Sequence, residues 1–74
     1  MAEQVSIEEV SKVVAPIIRK YDWSVQQLGY GVRLNVTDGF KQASVDITGG
    51  EDIESEANRL IEAVDKHEFG HLEG

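Results

Sequence analysis

The chain has 74 residues and a formal net charge of −7, from 14 acidic against seven basic side chains. That length implies a single small domain over residues 1–74, because a chain so short hides only about 60% of its unfolded surface, and it leaves no room for a cleft between two lobes. The lack of cysteine excludes disulfides, a thiolate metal site and a cysteine nucleophile, while the acidic balance argues against direct binding to nucleic acid or anionic membrane.

The first residues, Met1-Ala2-Glu3-Gln4, lack the basic stretch and apolar run of a secretory signal, and no segment approaches the roughly 20 apolar residues of a membrane span. The expectation is a soluble cytoplasmic protein. Ser6 and Glu9 have the spacing of a capping box, and Val10, Val13, Val14, Ile17, Ile18 and Tyr21 recur at helical intervals, which predicts a first helix over 6–21. Pro16 removes a backbone donor and crowds the preceding turn, so a kink or break is expected near residues 12–16.

Over 22–28, Trp23 and Val25 alternate with Ser24 and Gln26, the pattern of a third strand ahead of Gly29. Between 30 and 48 the period is also two, and Asp38-Gly39 is a strong signal for a two-residue hairpin turn. Pairing Thr37 with Phe40 sets Val36 opposite Lys41, Leu34 opposite Ala43, Val32 opposite Val45 and Tyr30 opposite Ile47 on one face. Arg33, Asn35, Gln42, Ser44 and Asp46 share the other, and a slip of one residue would destroy this separation. Phe40 reads as a turn-flanking aromatic and Trp23 as a core residue. If Trp23 stands at a sheet edge instead, edge pairing into a homo-oligomer is a third reading of the chain.

Gly49-Gly50 ends the hairpin, and Glu51, Asp52 and Glu54 then suit the positive end of a second helix with an apolar stripe at Ile53, Ala57, Leu60, Ile61 and Val64. The predicted fold is α+β in two layers, with both helices on one face of an antiparallel β-hairpin or three-stranded sheet. The two glycines do not suit phosphate, since no P-loop lysine follows and Glu51 and Asp52 would repel it. Nothing around Ser24 or Ser44 marks the nucleophile of a Ser-His-Asp site.

Charge is unevenly spread along the chain. Residues 1–21 balance and residues 22–50 carry −1, so the remaining −6 falls in residues 51–74. A plain reading is a solvated helix face. A functional one is an acidic surface that docks on a basic protein partner, and in size, charge and helix-sheet-helix order the chain is similar to tiny acidic phage and mobile-element proteins, including inhibitors that mimic nucleic acid.

The final eight residues, His67-Glu68-Phe69-Gly70-His71-Leu72-Glu73-Gly74, spell HExxHxxG and hold both histidines of the chain. On a helix, residues four apart lie one turn above each other, so two imidazoles can address one ion. The stripe through Leu60 and Val64 extends by helical steps to His67 and His71, provided the helix continues through Gly70. This tail resembles the active-site helix of zincin metallopeptidases, the metzincin branch above all. The resemblance implies zinc as cofactor, His67 and His71 as metal ligands, and Glu68 as the catalytic group that polarises a metal-bound water. Gly74 matches the glycine at which that family's chain turns away. The family's third histidine and lower subdomain have no counterpart here, and Glu73 or Asp65 would have to serve as the missing ligand. The expectation is therefore a truncated two-histidine site with weak or shared zinc and little or no peptidase activity.

Overall fold

A computed structural model describes residues 5–49 and 52–72. The readings placed on Met1–Gln4, Gly50, Glu51, Glu73 and Gly74 lie outside these residues. The elements are α1 (Ile7–Val14), β1 (Asp22–Gln27), β2 (Val32–Thr37), β3 (Gln42–Ile47), α2 (Ile53–Asp65) and β4 (Gly70–Leu72), and the strands form one sheet in the order β1-β2-β3-β4.

The fold is α+β, with two helices against one sheet face. Val10 and Val14 of α1, Ile18 beyond it, and Ala57, Leu60 and Val64 of α2 join Val32, Leu34, Val36, Ala43, Val45 and Ile47 in a single buried cluster. Each fully buried valine, leucine or isoleucine of this set contributes about 1.5–3 kcal/mol by leaving water. The alternating positions Arg33, Asn35 and Thr37 of β2 stay on the uncovered face.

Three predicted boundaries change. The first helix stops at Val14 instead of residue 21: the Ser6 hydroxyl accepts from the Glu9 amide at 3.1 Å, but Pro16 cannot donate, and Ile17 and Ile18 both turn back to the Val14 carbonyl. The break falls inside the expected interval, and Ile18 is buried from a turn rather than from a helix.

The hairpin register is shifted by two residues. Val36 faces Ala43, Leu34 faces Val45, Val32 faces Ile47, and Thr37 faces Gln42. Residues 38–41 form a four-residue connection: the Asp38 carboxylate accepts from the amides of Phe40 (2.9 Å) and Lys41 (3.1 Å), and the Asp38 amide donates to the Lys41 carbonyl. A shift of two preserves the two faces, so alternation alone does not separate the registers. Burial does, because the shorter turn would set Lys41 opposite Val36 on the covered side.

The third difference is β4. The sheet has the expected antiparallel three strands, with β1 paired to β2 from Asp22↔Thr37 to Gln27↔Val32, and a fourth strand that was not predicted. It runs parallel to β3, with Gly70, His71 and Leu72 beside Ala43, Ser44 and Val45. The segment expected to extend the second helix therefore leaves it and joins the sheet.

Candidate interaction surface

The end of α2 explains where the HExxH residues go. Lys66 follows the last helical residue, the His67 amide donates to the Val64 carbonyl at 3.0 Å, and the Glu68 amide reaches back to the Ala63 carbonyl at 2.8 Å. These paired bonds are a Schellman stop, which needs a left-handed residue at the position His67 occupies; its φ is +59°. Gly70, with φ +104°, turns the chain a second time into β4. The predicted placement of His67, Glu68 and His71 on one helix is thus corrected, because α2 ends at Asp65.

The three residues find separate surroundings. His67 is exposed, with its ring centroid 6.2 Å from that of Phe69. Lys41 Nζ also lies over the Phe69 ring, 5.8 Å from its centroid. Glu68 is exposed and lines a shallow depression of about 220 Å³ with Arg59, Glu62, Ala63, Lys66 and Leu72. His71 stands on the uncovered sheet face, Nδ1 3.2 Å from the Ser44 hydroxyl and Nε2 3.8 Å from an Asp46 carboxylate oxygen. Among the described residues, no three His, Asp or Glu side chains converge as a metal-ligand set.

The register of β4 creates a contact that the sequence did not signal. Ser44 and Asp46 share the outer face of β3, and His71 is delivered opposite Ser44 by a pairing between residues 27 apart in the chain. Ser, His and Asp are thereby neighbours, yet their chemistry is committed elsewhere. Asp46 accepts from Arg33 Nε at 2.7 Å and Nη2 at 3.3 Å and from the Tyr30 hydroxyl at 2.8 Å. The Arg33 bonds, joined by the Tyr30 bond, hold the Asp46 carboxyl below its ordinary range. Its 3.8 Å approach to His71 is longer than a hydrogen bond, and Ser44 is buried, so this cluster orders the sheet face and does not present a free nucleophile. Ser24, Asn35, Ser44 and His71 form a polar row across all four strands of that face.

The acidic second helix is partly neutralised from within. Asp65 receives Lys20 Nζ at 3.0 Å and the Tyr21 hydroxyl, Glu62 pairs with Lys66 at 2.8 Å, and Glu56, which is buried, meets Arg59 at 3.4 Å. The Tyr21 and Lys20 bonds hold Asp65 low, and the Lys66 bond does the same for Glu62. Exposed Asp52, Glu54 and Glu68 enter no ion pair among the described residues. They leave a surplus of negative charge at the start of α2 and just past its end. Compared with protein-family models, with curated proteins and with solved structures, the chain gives no match.

Proposed function

We propose that this chain is a non-catalytic interaction module that docks on a basic protein surface through the carboxylates of α2 and its flanks. The observation that carries the reading is the exposed set Asp52, Glu54 and Glu68, which enters no ion pair among the described residues, while Lys20, Arg59 and Lys66 are engaged within the fold. Three such charges on α2 and its two flanks steer a cationic partner by long-range attraction, and salt screens them because they face water. The zinc-peptidase reading is set behind this one, since it rests on a helical HExxH and α2 stops before His67.

A poly-lysine peptide is the simplest probe. Its affinity for the chain should fall at least about tenfold between roughly 50 and 300 mM salt, and neutralising Asp52, Glu54 and Glu68 to the corresponding amides should weaken it as much. Amides at Glu8 and Glu9 of α1 control for total charge. Equal losses per charge removed, three in the first set and two in the second, would mean that net charge alone acts, and the assigned surface would be wrong.

A further inference from the structure

β1 is an outer strand: the sheet order gives it β2 as its neighbour, and the six residues Asp22–Gln27 pair with β2 without interruption. Outer strands of monomers are usually blunted by a lysine, a proline, a bulge or a covering segment. β1 reads Asp-Trp-Ser-Val-Gln-Gln, with neither lysine nor proline and its one charge at the first residue. Residues 23–32 are moreover the longest uncharged run in a chain of net charge −7. A second copy carrying the same charge meets the least repulsion along this edge.

The register of such a contact is limited by two parities and then chosen by its side-chain pairs. The Leu28 amide donates to the Gly31 carbonyl at 2.8 Å, so by antiparallel alternation the backbone groups of even-numbered residues face β2 and those of Trp23, Val25 and Gln27 face outward. Trp23 and Val25 are half-buried and pack against the core from the helix side. To keep them on that side in both copies, the numbers of paired residues must add to an even total. Placing Ser24 opposite Ser24 meets both conditions: Trp23 of each copy then lies against Val25 of the other, an aromatic pair with a β-branched residue, and Asp22 faces the Gln26 amide.

We propose that two copies of this chain associate along β1, antiparallel and two-fold symmetric about Ser24, giving one eight-stranded sheet with all helices on one face. The contact is isologous, so it closes at two copies. It is independent of the acidic docking surface on α2.

The chain lacks cysteine, so Ser24→Cys provides a clean reporter. Across the two-fold, Ser24 forms a non-hydrogen-bonded pair with Cα atoms about 4.5 Å apart, inside the roughly 4.4–6.8 Å span of a disulfide. Under mild oxidation this variant should become mostly a covalent species of twice 8.2 kDa, while Phe40→Cys at the exposed turn should not. In sedimentation of the unmodified chain over roughly 10 µM to 1 mM, the dimer fraction should rise with concentration and with salt. Val25→Pro removes an outward amide and spares the β1–β2 bonds, so it should be monomeric throughout; should it not fold, Ser24→Lys sets like charges across the axis and should be monomeric in its place. A chain that stays monomeric over the whole range, or Ser24→Cys cross-linking no faster than Phe40→Cys, overturns the proposal.

Discussion

Replacing Gly70 with alanine gives opposite signs under the two accounts of the HExxH segment. If residues 67–71 continued a helix, Gly70→Ala would add about 1 kcal/mol of stability, the usual gain in a helix interior. With φ at +104°, an alanine is held where L residues are strained by about 1–3 kcal/mol. No atom lies within 4 Å of the added Cβ, so strain is the whole cost and no clash contributes. The loss is also bounded, because the segment can release β4 rather than bear the strain, forfeiting the half-buried Phe69 and Leu72 at about 1–2 kcal/mol. We expect a destabilisation of about 1–2 kcal/mol, or a melting point lower by about 5–15 °C. Urea unfolding followed by Trp23, the sole tryptophan, reports the global change, and amide exchange at Ser44, whose backbone faces β4 by the alternation that turns Ala43 and Val45 toward β2, reports β4 release. Gly29→Ala is the control: it has no positive φ and no neighbour within 4 Å, so it should be neutral or gain up to about 1 kcal/mol. A more stable Gly70→Ala variant would refute the left-handed turn at Gly70 and restore the helical reading of that segment.

Gly31→Ala should be far more damaging, by about 3 kcal/mol or more, since its Cβ would stand 2.3 Å from the Ile47 carbonyl oxygen and 2.9 Å from the Thr48 Cα, both backbone atoms that cannot rotate away; an urea midpoint unchanged from the parent would contradict the close β2–β3 approach. Asp46→Asn should cost about 1–2 kcal/mol near neutral pH by weakening the Arg33 and Tyr30 bonds. The Asp46 carboxyl is held low in the fold, so its contribution is present above the unfolded value of about 4 and disappears as pH falls through the folded value; thermal melts of parent and variant should stay apart above about pH 5 and draw together as the pH is lowered below the unfolded value. Calorimetric zinc titration near neutral pH should give no stoichiometric sub-micromolar site, because His67 belongs to a helix stop and His71 to a strand; a one-to-one heat abolished by both His67→Ala and His71→Ala would overturn that reading.

Local chemistry made much of this fold readable. The serine cap before Ile7, the stop enforced by Pro16, the strand alternation and the stripe of α2 are each decided within a few residues, and each appears where the sequence puts it. What the sequence did not disclose depends on competition between distant partners. The Asp38-Gly39 pair fits a two-residue turn, but burying Ala43 opposite Val36 outweighs it and lengthens the loop by two residues. His67-Glu68-Phe69-Gly70 carries the spacing of a metal-binding helix, and it also supplies a histidine that accepts a left-handed turn and a glycine that accepts a second one. The open edge of β3 selects the second use. The polar row on the sheet face was half visible, as Asn35 and Ser44, and completed only by the long-range arrival of His71.

The late position of β4 has a bearing on how the chain assembles. β1, β2 and β3 are sequence neighbours joined by short turns, so they can form a meander from local contacts alone. β4 can dock only after α2 has formed and closed a 27-residue separation from Ser44, and so it should join last on refolding and open first on warming. While it is away, both margins of the meander are bare, and this is the species most apt to aggregate. The net charge of −7 then has a second use, keeping such half-assembled chains apart until the final strand closes the β3 side.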